Sequence, residues 1–337
     1  MRSLGYCARA GRSGRGVFTG AAMVAAIWAG APAGTATAQD AFPNRPVKIL
    51  AGFPPGGGTD VTARIIGIKL AELLGQQIVV ENHPGASGTI AAELVAKAVP
   101  DGYTLLMGLP NSNVVASYVY PKLPYNPAKD FAAISLVNRV SLVLTLYPGV
   151  KATDLKSFVA LSKQSQLRYA SSGNGSVQHL STEMLKAATG ADLLHVPYKG
   201  SGQAVVDLMA GQVDVNFDTM PTVLSYIKAA RLRAIAVGAP QRTVQLPEVP
   251  TVSESGVPGF EATNWYGLFA PAKTPKEIVA RLNRDVNAAL KAPEMRERII
   301  NSGGEPVGNT PEEFTRFLSA ETAKWGKIIK DAKIKFD

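Results

Sequence analysis

The feature that most constrains this chain is a pattern that occurs twice. From Val47 the sequence reads strand (Val47 to Phe53), helix (Asp60 to Leu74), strand (Gln77 to Glu81), helix (Thr89 to Ala98) and strand (Tyr103 to Gly108). From Leu167 the same grammar returns as strand (Leu167 to Ser171), helix (Gln178 to Thr189), strand (Asp192 to Val196), helix (Gly202 to Ala210) and strand (Val213 to Phe217). Short apolar runs alternating with helix-length segments specify βαβαβ units on parallel sheets. In both copies a glycine-rich loop joins the first strand to the first helix: Phe53-Pro-Pro-Gly-Gly-Gly-Thr-Asp60 and Ser172-Gly-Asn-Gly-Ser176. Gly75 and Gly190 stand at equivalent helix ends, where glycine commonly closes a helix. Two copies of one unit predict two similar domains.

Between the copies, Ile134 to Tyr147 is rich in leucine and β-branched residues and suits a long connecting strand. After the second copy come a strand over Leu232 to Val237, a proline-rich irregular stretch from Leu246 to Gly259, and a strand over Trp265 to Ala270. The remainder reads as helices over Pro275 to Lys291, Ala292 to Ser302 and Pro311 to Lys333. Thr274 and Thr310 are expected as N-caps, each followed by a proline at the first helical position. The helical tail is expected to return to the first unit. The expected organisation is therefore α/β, with residues 39–143 and 256–337 in one domain and 144–255 in the other, joined by a two-strand hinge with a cleft between them.

The first 38 residues stand apart. Arg2, Arg9, Arg12 and Arg15 precede an apolar stretch from about Val17 to Ala31 and the small residues Thr35-Ala-Thr-Ala38, as in a secretory signal peptide cleaved after Ala38. Gly20, Gly30 and Pro32 interrupt that stretch, which is too short for a membrane anchor. Cleavage would leave 299 of the 337 residues, remove the single cysteine, Cys7, and lower the formal charge from +9 to +5. A chain that is 46% hydrophobic and only 18% charged has the composition of a globular protein with a sizeable core. Its scattered basic residues form no stripe for nucleic acid. The expected product is a periplasmic protein without disulfides that relies on core packing.

In open parallel sheets, ligands sit beyond the carboxyl ends of the strands, where helix N-termini gather. A helix start preceded by glycines presents bare N–H groups and the positive end of the helix dipole, so it attracts carboxylates and phosphates. Two such loops on facing domains could grip one small anion from both sides. In the first loop Gly56, Gly57 and Gly58 permit close approach and Thr59 offers a hydroxyl, while Asp60 either caps the helix or meets the ligand. In the second, Gly175 and Ser176 offer N–H groups, Ser172 or Ser176 offers a hydroxyl, and His179 either points into the cleft or braces the loop. A bulky residue in place of Gly58 is expected to remove binding while leaving the fold intact.

Catalytic alternatives fare poorly. No lysine follows either set of glycines as a nucleotide-binding loop requires, and neither a zinc motif nor paired cysteines occur. With His83, His179 and His195 the only histidines, a serine hydrolase would need Ser176 beside His179, and the sequence carries no G-x-S-x-G elbow. The expectation is a protein that is not an enzyme and uses no cofactor or metal.

Several segments resemble one family. Phe42-Pro-Asn-Arg-Pro-Val-Lys48, Phe53 to Asp60, Val80-Glu-Asn82 with Pro84-Gly85, and Pro100-Asp-Gly-Tyr-Thr-Leu105 lie in the first half. Ala170 to Ser176, Gln178-His-Leu180, His195-Val-Pro-Tyr-Lys-Gly200, Leu246-Pro-Glu-Val-Pro-Thr251 and Trp265-Tyr-Gly-Leu-Phe269 follow. In this order they resemble the Bug, or TctC-like, family of extracytoplasmic solute-binding components of tripartite tricarboxylate transporters. The resemblance implies a periplasmic-binding-protein fold of type II that closes over its ligand, a monomer that takes a small carboxylate and delivers it to membrane transporter subunits. It implies a carboxylate held by Gly57, Gly58 and Thr59 on one side and by Gly175 and Ser176 on the other. It places the remaining pocket at Phe53, at Leu109 to Asn111, at Tyr198 to Ser201 with Gly200 among them, and at Asp218 and Thr219. The same residues also leave room for a solute sensor that serves a signalling partner.

Overall fold

The computed structural model describes residues 42–331, so the predicted signal peptide lies outside the described residues. The first unit comprises β1 (Val47–Ala51), α1 (Gly58–Leu74), β2 (Ile78–Asn82), α2 (Thr89–Ala96) and β3 (Thr104–Gly108). A π-helical turn at Asn111–Val115 leads into the short α3 (Ala116–Val119) and then into β4 (Phe131–Leu146). After α4 (Leu155–Gln164), the second unit runs through β5 (Leu167–Ser171), α5 (Val177–Thr189), β6 (Leu193–Pro197), α6 (Ser201–Met209) and β7 (Val215–Thr219). The chain continues through α7 (Met220–Lys228), β8 (Arg233–Val237), β9 (Thr263–Pro271), α8 (Lys276–Lys291), α9 (Pro293–Asn301), β10 (Gly304–Pro306) and α10 (Pro311–Asp331).

The two units share one topology. β1 pairs in parallel with β2 and β3, and β5 pairs in parallel with β6 and β7, so the first strand is central in both. Gly75 and Gly190 close α1 and α5 in the left-handed conformation, with φ of 66° and 69°. The two units belong to one curled sheet of order β2-β1-β3-β9-β4-β7-β5-β6, with β8 and β10 also paired to β4.

The 16-residue β4 joins them. Its Phe131–Ser141 part pairs antiparallel with β9, and its Leu142–Leu146 part pairs with β7 and β8. At the changeover Leu142 bonds to both other passes of the chain: its carbonyl accepts from Gly238 N–H at 2.7 Å and its N–H donates to Ala262 at 3.2 Å. The helical tail packs on the first unit, where Leu282 and Val286 of α8 join Ile49, Ile66, Leu70 and Leu105 in one buried cluster. A second cluster built on Ala204, Leu208, Val223 and Val237 lies in the other unit, and a third joins Tyr169, Leu180 and Phe217 of that unit to Leu50, Leu106 and Trp265.

Strand and helix limits predicted from pattern agree with these elements to within one to three residues at most ends. Four elements are absent from the sequence reading: the π-helical turn with α3, α4, α7, and the short β10. For α4 the start signal is explicit, because Asp154 accepts from Ser157 N–H at 2.7 Å while Ser157 Oγ accepts from Asp154 N–H. Thr274 is not the N-cap expected of it. Pro275 takes that position and the Thr274 hydroxyl has no partner, whereas Thr310 forms the expected cap with Glu313.

Candidate functional site

Both glycine-rich loops lie at the carboxyl ends of the central strands of their units, and the structure brings them to one cleft. Several contacts cross it. Ser87 Oγ donates to the Asn174 carbonyl at 2.9 Å, Val177 N–H donates to Asn111 Oδ1 at 3.1 Å, and Gly200 lies so close to Pro54 that a Cβ there would sit 2.8 Å from the proline ring. Between the loops is a cavity of about 20 Å³, room for about one water molecule.

One wall is the start of α1. Gly57 is the N-cap and has no side-chain cap, so the first N–H groups of the helix lack a carbonyl one turn back. Gly57, Gly58 and Thr59 line the cavity with Phe53, which is 7% exposed. Gly58 is required here by close approach: a Cβ would lie 2.1 Å from Tyr266 Oη and 3.2 Å from Thr219 Oγ1.

Asp60 is buried but does not line the cavity. Its carboxylate accepts from Gly56 N–H (3.0 Å), Asn82 Nδ2 (3.1 Å) and Arg64, whose Nη2 lies 2.9 Å from Oδ1. Burial alone would raise its pKa, but the bonds from Arg64, Gly56 and Asn82 outweigh this and hold it below the ordinary carboxylate value. Asp60 thus secures the loop's shape.

The opposite wall is made of side chains. Ser172 Oγ donates to Gln178 Oε1 at 2.9 Å, and Gln178 Nε2 donates to Ser201 Oγ at 3.2 Å and to Asp218 Oδ1 at 3.0 Å. Ser172, Gln178, Ser201 and Thr219 line the cavity, while Asp218 stands behind them, fully buried. No residue lining the cavity carries a charge.

The second loop was expected to offer its amides, yet it spends them internally. Gly175 N–H donates to His179 Nδ1 at 3.1 Å, Ser176 N–H to the Gly173 carbonyl at 3.1 Å, and Val177 N–H to Asn111. A Cβ on Gly175 would also meet Val119 at 2.4 Å, so α3 covers this residue. Both Gly175 and Ser176 therefore shape the loop, and neither presents a free N–H to the cavity.

His179 braces the same loop. It stacks on His195 with ring centroids 4.1 Å apart, and Ser171 Oγ lies 2.7 Å from His195 Nε2. Burial pushes His179 down to about 4, and burial together with the neighbouring His179 pushes His195 down to about 3. Gly175 N–H donates to His179 Nδ1 and Ser176 Oγ accepts from His179 N–H at 3.2 Å, so both residues tie the loop to the start of α5. The Tyr198 hydroxyl turns to Asp207 at 2.8 Å, outside the cavity lining.

Sequence reasoning missed Pro54, Asn264 and Tyr266 as lining residues. The last two stand two apart on β9, where strand alternation puts them on one face. Nothing local to β9 indicates that it lies between β3 and β4 at the cleft. A larger groove of about 580 Å³, lined in part by Arg139, Arg242, Trp265 and Phe317, includes no helix start. Among the described residues no group of three His, Cys, Asp or Glu could hold a metal ion, and no helix is long and apolar enough to cross a membrane.

Residues 62–334 match the family model described as the tripartite tricarboxylate transporter family receptor, TctC. The protein BugT of Bordetella pertussis is 38% identical over 301 residues, covering 88% of this chain and 92% of BugT. Among solved structures, an R. palustris protein with adipate aligns with a TM-score of 0.86 at 37% identity, covering 88% of this chain and all of that one. MatC from Rhodopseudomonas palustris with bound malate aligns at 0.81 and 35% identity, covering 86% of this chain and all of MatC. The chain belongs to the TctC or Bug family of periplasmic solute-binding proteins.

Proposed function

We propose that this protein captures a small carboxylate-bearing solute between its two βαβαβ halves in the periplasm and delivers it to a membrane transporter. The observation that carries this reading is the uncapped start of α1, with its unspent N–H groups, opening into a small cleft cavity that no charged side chain lines. Such a site favours an anion through the helix dipole and directed amides. The adipate and malate of the two R. palustris structures are anions of this kind.

A solute of four to six carbons does not fit about 20 Å³, so entry requires the two halves to part. We place the halves at 39–143 with 256–337, and at 144–255, flexing where β4 passes Gly238 and Ala262. Closure follows binding because the anion meets α1 on one half and Ser172, Gln178 and Ser201 on the other, and only the closed form satisfies both. The same reading makes residues 1–38 a removed signal peptide and the mature protein a monomer.

The test is isothermal titration and thermal shift with malate, adipate and a wider carboxylate panel. A ligand at 100 times its Kd should add about 2.7 kcal/mol of stability. If no carboxylate in the panel raises the melting temperature or releases heat, the receptor reading fails. N-terminal sequencing of periplasmic material should begin at Gln39.

A further inference from the structure

We propose that the groove of about 580 Å³ against the hinge is a second ligand site, which takes an organic anion with an apolar body and is coupled to the cleft. The site itself stands apart from the receptor reading, whereas the coupling rests on that reading and on the halves assigned with it.

All three passes of the chain through the hinge line this groove: Arg139 to Ser141 of β4, Ala239 just after Gly238, and Thr263 to Trp265 of β9 just after Ala262. Asn264 lines both the groove and the cleft cavity, so the hinge strands lie between the two. Of the other walls, the loop over residues 239–245 belongs to the half that ends at 255, while the end of α9, β10 and α10 belong to the other half. Gln245 Nε2 ties these walls together, donating to the Ile300 carbonyl at 2.8 Å. A hinge with a cavity on one side and a groove on the other acts as a lever: parting the halves at the cleft draws the groove walls together. A ligand in the groove resists that movement and favours the closed form.

The ligand's chemistry follows from which charges are already committed. Glu261 pairs with Lys324 at 3.3 Å, and Glu321 accepts the indole N–H groups of Trp265 and Trp325 at 3.0 and 3.1 Å. Arg242 pairs with Glu254 at 3.0 Å. Arg139 and Arg296 line the groove with no ion pair among the described residues, and against them stands only Glu305, likewise without one. The balance left over is positive. Apolar surface adjoins it, because the Arg139 guanidinium lies 5.0 Å from the centre of the Phe317 ring, which meets Trp265 edge-on. Thr243 Oγ1, also in the lining, is buried and has no hydrogen-bond partner. A hydroxyl in that position can donate to a ligand oxygen and lose the cost of its isolation. A carboxylate answers the excess charge and the unpartnered hydroxyl, and an aryl or alkyl body covers Phe317. The volume lies within the range of about 300–1,000 Å³ that small-molecule pockets occupy.

Titration calorimetry on the mature chain tests this with 3-phenylpropionate as the probe. The controls are 3-phenylpropylamine, which reverses the charge, and inorganic phosphate, which lacks the apolar body. Each is titrated with and without a saturating amount of the tightest cleft acid from the carboxylate panel. The probe should bind the saturated protein at least about tenfold more tightly than either control. It should also tighten the cleft acid by about fivefold or more, and the cleft acid should tighten the probe by the same factor.

Displacement of the cleft acid by the probe, equal binding of either control, or an unchanged cleft affinity overturns the inference and leaves the receptor reading standing. A panel in which no acid binds removes that reading and the coupling with it, while the probe titrated into the free protein still decides the groove. Arg139→Gln and Arg296→Gln should each weaken the probe about two- to fivefold, and Glu305→Gln should tighten it by a similar factor. Thr243→Ala should weaken the probe with no change in melting temperature, since its hydroxyl has no partner in the free protein. Shifts of the same sign in the arginine and glutamate variants, or none, would mark a merely structural role and refute the assignment.

Discussion

Gly58→Ala is the sharpest single probe of the site. The added methyl would lie 2.1 Å from Tyr266 Oη and 3.0 Å from Cζ, against an ordinary carbon–oxygen contact of about 3.4 Å. Tyr266 must therefore retreat by roughly 1.3 Å from that standard separation. It is only 2% exposed and packs in the cluster that holds Ile66, Leu268 and Val286, so retreat strains a filled core. Overpacking of this kind costs about 1–3 kcal/mol, and alanine returns less than about 1 kcal/mol of helix propensity at a first helical position. A net loss of about 1–2 kcal/mol corresponds to a melting temperature roughly 2–8 °C lower. The expectation that the fold would survive substitution here untouched is thus revised by Tyr266. Gly57→Ala is the matched control, since the nearest atom to its new methyl is the Pro54 carbonyl at 3.6 Å and its φ is −78°. Differential scanning calorimetry of the two variants decides the matter. Equal melting temperatures for both would refute the packing assignment of Gly58.

Asp60→Asn should cost about 1–3 kcal/mol at pH 7 through the charged hydrogen bonds it weakens. The folded pKa of Asp60 lies below its ordinary 3.8, so its contribution is present above that pH and fades as pH falls through the folded value. Urea midpoints at pH 7 and pH 3 should show the gap between variant and wild type narrowing, and a constant gap would contradict this. His179 and His195 have folded values near 4 and 3, below the ordinary 6.5. The unfolded chain then binds more protons below 6.5, and stability falls with pH by up to about 1.4 kcal/mol per unit for each ring. His179→Asn keeps an acceptor for Gly175 N–H, so its stability should decline less steeply than wild type between pH 6.5 and 4.5; an identical slope counts against the buried neutral ring. Asn111→Ala leaves Val177 N–H buried without its cross-cleft acceptor, which should weaken carboxylate binding by about 1–2 kcal/mol, or roughly 5- to 30-fold in Kd. An unchanged Kd would show that this bond does not hold the closed form.

Much was legible in the sequence because it is local. The alternation of apolar strands and helices, the glycines at 75 and 190, and the glycine-rich turns at 56–58 and 173–175 are set by backbone geometry within a few residues of each position. The repeat is the source of the two-unit reading, and the helix-start rule singled out Gly57, Gly58 and Thr59, which the structure places on the cavity wall. The amides of Gly175 and Ser176 were misjudged because their partners, His179 and the Gly173 carbonyl, depend on how the loop folds back on itself. Sequence left Asp60 and His179 with two roles each. Only their partners, Arg64 with Asn82 and the stacked His195, decide for bracing.

The sequence by itself determined two βαβαβ units and one uncapped helix start that favours an anion, since dihedral preference and hydrophobic period act over short range. Tertiary structure decided what faces that helix. β9 enters between β3 and β4 from more than a hundred residues away and sets Tyr266 against Gly58. Asp218 gathers Gln178 of α5 and Ser201 of α6 into one wall, which Ser172 joins through Gln178. Those relations depend on distance in space between residues far apart in the chain, which no local propensity encodes.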